Sequence, residues 1–305
     1  MRVVLRLVSL IGALLLLAGC RPGSTREVVV YASQDQVYAE PILNEFSRAT
    51  GIKVRAVYDS EAVKTVGLAN RLVREASNPQ CDVFWNNEEL RTRQLAARGI
   101  LRETNVWVSM GYRSRRIVIN TNLIQLAHAP RSLASITNAE WGGKVALAYP
   151  LFGTTATHFL ALRQHWGAQR WEAWCRALQA NKPFLVEGNS VVVNFVGRGE
   201  AWIGLTDSDD VAAGLRSGLP IASLPLTDES LLISNTVAII RGARNQRSGE
   251  LLSAFLQEQS TMERLIAAGA LEGSQPPERG LVVDWSQLLN DLDSATETLR
   301  AVFVR

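Results

Sequence analysis

Cysteine, histidine and charge of one sign are all scarce in this 305-residue sequence. It holds 3 Cys and 3 His. None falls in C-x-x-C or H-E-x-x-H spacing, which excludes the common zinc sites. His128, His158 and His165 have no ligand spacing to one another and read as structural or surface residues. P-loop and G-x-G-x-x-G fingerprints and a Ser-His-Asp order are missing too. Basic and acidic residues number 32 and 29. Loss of residues 1–19, with Arg2 and Arg6, would leave 30 against 29. Such a chain lacks the basic surface of a nucleic-acid binder. Beyond residue 19 no apolar run reaches the roughly twenty residues of a spanning helix. Cys81 and Cys175 lie in strand-like and helix-like apolar runs and read as buried thiols.

What is present begins with a leader. Arg2 and Arg6 precede the apolar stretch Leu7 to Ala18, interrupted only by Ser9 and Gly12. Roughly a dozen apolar residues suit the h-region of a secretory signal and are too few to span a bilayer. Leu17-Ala18-Gly19-Cys20 resembles the bacterial lipobox, which implies lipidation at Cys20 and attachment to the outer face of a bacterial cytoplasmic membrane. Arg21 to Arg26 reads as a short tether.

From residue 27 strands and helices alternate. Val28–Ser33, Ile52–Tyr58 and Cys81–Trp85 read as apolar strands. Helices are expected over Tyr38–Thr50, with Pro41 in its first turn and Gly51 after its end, and over Glu61–Ala76. A third helix opens at Glu88-Glu89 and stops at Gly99. After a strand at Arg116–Asn120 the pattern restarts: strand Val145–Ala148, helices Thr154–His165 and Ala168–Ala180, strand Phe184–Val186, helix Ser190–Arg198 and strand Ala201–Leu205. Leu231–Ile240 reads as a returning strand. The Trp166, Trp171 and Trp174 spacing suits helix packing, whereas Trp85 suits either a core or a cleft wall. The alternation predicts α/β architecture with a mainly parallel sheet in two lobes. Expected boundaries are 1–19 leader, 20–26 tether, 27–115 with 235–275 for lobe 1, and 116–234 with 276–305 for lobe 2.

Five segments carry a family resemblance: Val30-Tyr31-Ala32-Ser33-Gln34-Asp35; Phe46 through Val54; Asp82-Val83-Phe84-Trp85 with Asn86-Asn87-Glu88; Gly153-Thr154-Thr155-Ala156; and Gly188-Asn189-Ser190 followed by Gly199 through Leu205. In this order they resemble bacterial periplasmic solute-binding proteins of the ferric-iron-binding type. The resemblance implies the type II periplasmic-binding-protein fold, two α/β lobes on a hinge with the ligand cleft between them. It also implies a non-enzymatic, monomeric receptor that serves the permease and ATPase of an ABC importer.

In open α/β sheets, ligands gather beyond the carboxyl ends of strands. That rule selects Ser33 to Asp35, Tyr58 to Glu61, Asn86 to Glu88, Gly153 to Thr155 with Gly188 to Ser190, and Thr206 to Asp210. Asp207-Ser208-Asp209-Asp210 either caps a helix or meets a hard cation. Gly153-Thr154-Thr155 and Gly188-Asn189-Ser190 offer helix starts suited to an anion. By the family's pattern, two iron-binding tyrosines fall at Asp209 and Asp210, a histidine at Asp35, and a glutamate at Asn87 or Glu88. The resemblance therefore implies Asp209, Asp210, Glu88 and Asp35 as metal ligands. Ser33, Gly153, Thr154, Thr155, Asn189, Ser190, Asp207, Asn87 and Glu61 would surround the cargo or its anion. The expected cargo is Fe(III) or another hard metal with a carbonate- or phosphate-type anion. An organic phosphate or phosphonate is the alternative. An exported hydrolase using Asp207, Asp209, Asp210 or Glu88, and a purely structural lipoprotein, are the remaining readings.

Overall fold

The computed structural model describes residues 26–58, 64–103 and 107–304. Cys20, the leader and Glu61 lie outside the described residues. Strand β1 (Glu27–Ala32) leads into α1 (Gln36–Thr50), β2 (Lys53–Tyr58), α2 (Lys64–Arg74), β3 (Val83–Asn86) and α3 (Glu89–Ala97). β1 pairs in parallel with both β2 and β3. Helix α1 starts two residues before the expected Tyr38, so Pro41 lies inside the helix rather than in its first turn. It ends at Gly51, whose φ of 68° is the left-handed conformation that glycine adopts at helix ends without steric cost.

Next comes β4 (Val108–Asn120), far longer than the predicted Arg116–Asn120. Arg113, Arg115 and Arg116 obscure its apolar pattern, because the first two are buried by specific partners instead. The second half contains β5 (Val145–Ala148), α4 (Gly153–Trp166), α5 (Ala168–Ala180), β6 (Phe184–Val186), α6 (Asn189–Gly197), β7 (Ile203–Asp207), α7 (Ser208–Arg216) and β8 (Ile221–Ser223). The chain returns through β9 (Leu232–Ile239) and finishes with α8 (Gln246–Leu256), α9 (Gln259–Ala267) and α10 (Trp285–Phe303). β8 and these last three helices were not anticipated, since β8 is too short to show a period.

The strand order is β2-β1-β3-β9-β4-β7-β5-β6, with β8 beside β4. β4 changes neighbours partway along. Val108 to Ser114 pairs with β9, and Arg115 to Ile119 pairs with β7. Two apolar clusters flank the β1–β3 portion, one centred on Phe46 and Trp85 and the other on Phe84 and Leu95. Two more flank the β5–β7 portion: Phe159, Trp171 and Trp174 on one side, Val192, Val193 and Val196 on the other. Each sheet portion thus has its own double-sided core, which is what two α/β lobes require. Trp85 is wholly buried in the first lobe's core, not in a cleft wall. Trp166 and Trp174 meet edge-on with centroids 5.3 Å apart. Cys81 and Cys175 are free and buried, as expected. No described helix is long and apolar enough to cross a membrane.

Candidate functional site

Three helices begin close together. Gly188, extended, precedes α6; Gly153, at φ 56°, opens α4; and Asp207 precedes α7 at the end of β7. Their free N–H groups and dipoles favour negative charge at this point. The charge is supplied from within. Asp207 Oδ2 accepts the Thr154 hydroxyl at 2.7 Å and the Asn189 amide at 3.2 Å, and Oδ1 accepts Arg115 Nη1 at 2.7 Å. Arg113 Nη1 stands 3.2 Å from Oδ2. Asp207 makes no side-chain cap to its own helix. Burial pushes the Asp207 carboxyl up, but Arg113 and Arg115 outweigh it and hold the group below the usual carboxylate range. The two anion-ready turns predicted at residues 153–155 and 188–190 therefore hold this internal carboxylate. Asn189 Oδ1 also receives Arg115 Nη1 at 2.8 Å and the Thr155 hydroxyl at 3.4 Å.

Asp209 lies two residues on and behaves in the opposite way. Its Oδ2 accepts Arg113 Nη1 at 2.6 Å, while its Oδ1 is buried with no hydrogen-bond partner. Burial raises its pKa to about 6; Arg113 opposes, and the carboxylates of Asp207 and Asp35 push it further up. Carboxylate oxygens of Asp207, Asp209 and Asp210 lie within 4.8 Å of one another, and all three residues are buried. Carboxylates held this close repel one another, and a cation bound among them would relieve that repulsion.

The first lobe closes over this group. Arg113 Nη2 donates to the Asn87 carbonyl at 3.0 Å. Ser33 donates to Asn86 Oδ1 at 2.5 Å and accepts the Asn87 N–H at 3.0 Å, so Ser33 and Asn87 shape one turn beside the arginine. The Tyr38 hydroxyl receives Arg216 Nη2 at 2.8 Å and donates to the Asp209 carbonyl at 3.5 Å. Asp35 immediately precedes α1. Ser190 lies in the first turn of α6 and is half-buried. Glu88 is a helix cap: its carboxylate accepts the Leu90 and Arg91 N–H groups at 2.7 and 3.0 Å. Thr157 of α4 reaches the same carboxylate at 3.4 Å. The metal-ligand role that the family's pattern implied for Glu88 is thus weakened by two backbone donors.

Arg113 and Arg115 are the functional residues that sequence reasoning missed. Their spacing of two puts both on one face of a strand. Four neighbouring positions holding three Asp residues in an apolar setting require cations nearby, and that was the available signal. Asn235 was missed as well; its side-chain amide donates to Gln34 Oε1 at 2.8 Å and joins β9 to the segment after β1.

This fold, with a buried polar site between two lobes, defines a ligand-binding receptor. The chain belongs to the bacterial extracellular solute-binding protein family, whose profile matches residues 27–270. It is 23% identical over 269 residues to the major ferric iron-binding protein of Neisseria gonorrhoeae, covering 80% of this chain and 79% of that one. It is 29% identical over 213 residues to the Fe(3+)-binding periplasmic protein of Serratia marcescens, covering 63% and 61%. Among solved structures, iron-bound HitA from Pseudomonas aeruginosa superposes with a TM-score of 0.78 at 18% identity, over 92% of this chain and 100% of that one. Fructose-6-phosphate-bound AfuA from Actinobacillus pleuropneumoniae superposes equally well, at 0.78 and 17% identity, over 92% and 99%. These two superpositions establish the fold.

Proposed function

We propose that this protein is the substrate-binding receptor of an ABC importer, that its cargo is Fe(III), and that the lipobox at Cys20 anchors it to the outer face of the cytoplasmic membrane. The observation that carries the cargo reading is the buried carboxylate cluster, with Asp209 Oδ1 unpartnered inside it. Asp209 and Asp210 supply hard oxygen donors and Asp35 stands at the facing lobe. Asp207 is saturated by Thr154, Asn189 and two arginines, so its part is to hold Arg113 and Arg115 in place. A small oxyanion completing the metal's shell would meet the hydroxyls of Ser33, Thr155 and Ser190. Relatives whose names specify ferric iron support the cargo. The lobes, with boundaries near residues 115 and 235, close about the cargo by hinge motion. The receptor works as a monomer and delivers its ion to a permease driven by an ATPase.

The test is a thermal-shift and calorimetric titration of the mature chain with Fe(III) citrate, with and without carbonate or phosphate, and separately with metal-free sugar phosphates and phosphonates. A ligand that binds only the folded chain raises Tm by mass action. Iron should shift it, and the Asp209→Ala/Asp210→Ala double variant should lose the response. A metal-free phosphate ester giving the larger shift would replace the iron reading with the phosphate one.

A further inference from the structure

On the second lobe, beside the Asp207 network and sharing Arg115 with it, lies a cavity of about 260 Å³. It sits between β4, the start of α4, the segment around Leu126 to Leu133 and the segment from Leu224 to Ser230. Its size falls just under the roughly 300–1,000 Å³ of small-ligand pockets. The walls are mostly apolar, supplied by Ile117, Leu133, Leu205 and Leu224. The charged lining is Arg115, Arg116, Arg131, Arg279 and Glu229. Arg116 and Arg279 pair with Glu272 at 2.6 Å and with Asp228 at 3.4 Å. Glu229 is already engaged, since its Oε2 accepts the Leu133 N–H at 2.7 Å.

Two buried groups on this wall carry unused polar atoms. Arg115 spends only Nη1, on Asp207 and Asn189; its Nε and Nη2 have no partner although the side chain is 1% exposed. Those two N–H groups form the side-on fork that matches both oxygens of a carboxylate. His158 is buried beside it. Its Nε2 donates to the Glu229 carbonyl at 2.7 Å, which leaves Nδ1 as a bare acceptor, and that atom is unpartnered as well. Burial first, and the nearby Arg115 cation second, lower its pKa to about 3, so the ring stays neutral. Buried donors and acceptors without partners are costly and uncommon in folded proteins.

We infer that this cavity is a second ligand site, selective for a small organic carboxylate with an apolar body. The carboxylate takes the Arg115 fork, and the hydrocarbon lies along Ile117, Leu133, Leu205 and Leu224. A hydroxyl beside the carboxylate would donate to His158 Nδ1 and strengthen binding. The cavity shares Arg115, α4 and β7 with the cleft, but its ligand takes the arginine atoms that Asp207 and Asn189 leave unused.

The experiment is calorimetric titration of the mature chain with sodium hexanoate and with uncharged hexanamide. Hexanoate should bind at one site. Loss of charge-assisted bonds should weaken hexanamide by roughly tenfold to a hundredfold. Ala129→Trp, at a cavity-lining position outside the cleft network, should abolish hexanoate binding and leave the iron response intact. Asp209→Ala should leave hexanoate binding intact. Equal affinity for acid and amide would overturn the inference, as would absence of hexanoate binding at millimolar concentration. Loss of hexanoate binding in Asp209→Ala with retention in Ala129→Trp would place the carboxylate in the cleft and overturn it too.

Discussion

Asp207 and Asp209 share one buried arginine and are pushed to opposite sides of the ordinary carboxylate range. The linkage follows from those directions. Asp207, depressed in the fold, contributes stability above its unfolded pKa, and that stability is lost as pH falls through its still lower folded value. Asp209, raised from 3.8 to about 6, does the reverse: the fold loses stability as pH rises through that window. A cation needs Asp209 ionised, so iron affinity should fall by up to about tenfold per unit as pH drops below about 6; calorimetry across pH 5 to 7.5 checks this, and a flat profile would remove Asp209 from the ligand set. Asp209→Asn should cost two or more orders of magnitude in iron affinity while holding Tm steady or raising it. Arg113→Leu should be severe, because it leaves Asp207 and Asp209 buried beside Arg115 alone. Loss of one partner in such a group costs about 3–5 kcal/mol, readable by urea denaturation. At this scale the sequence showed the acids and not their partners. Local spacing marks a carboxylate cluster, but only the fold brings Arg113 of β4 to Asp209 of α7.

Strand β4 holds both arginines and also the sharpest backbone requirement. Its register with β9 shifts between Met110 and Tyr112, and Gly111 there has φ +63°. A Cβ on Gly111 would stand 2.6 Å from Leu271 Cδ1, 2.7 Å from Met262 Cε and 3.0 Å from the Gly273 carbonyl. Gly111→Ala therefore combines strain with overpacking and should cost about 2 kcal/mol or more by denaturant titration, with α9 loosened first in hydrogen exchange. The elements that sequence reading found cleanly carry an uninterrupted apolar signal: α5 packs one periodic face on a core, and β5 is apolar and buried on both faces. β4 escaped because its middle carries charges at positions that a solitary strand would expose. Glu88 was visible as an acid at a helix start, where capping and metal binding look alike; the two backbone N–H bonds give it the first of these roles.

At the scale of the molecule, two sheet portions with separate cores follow directly from the repeated strand–helix alternation. Their joining through one long strand does not, since pairing partners are long-range. Attachment is testable apart from folding: Cys20→Ser should move the protein from the membrane fraction to the soluble exported fraction without altering iron binding, and unchanged fractionation would refute the lipid anchor. The strand order has another consequence, for the time course of making the protein. β3 borders β9 antiparallel, with Asn86 opposite Thr236, so when β1, β2 and β3 leave the ribosome the neighbour that covers their inner edge has yet to be synthesised. α10, which packs on α4 and α5, comes later still. Neither lobe can finish early. The nascent chain carries an open sheet edge and bare apolar helix faces until its last quarter appears, the condition in which chains are most exposed to aggregation and in most need of a holding chaperone.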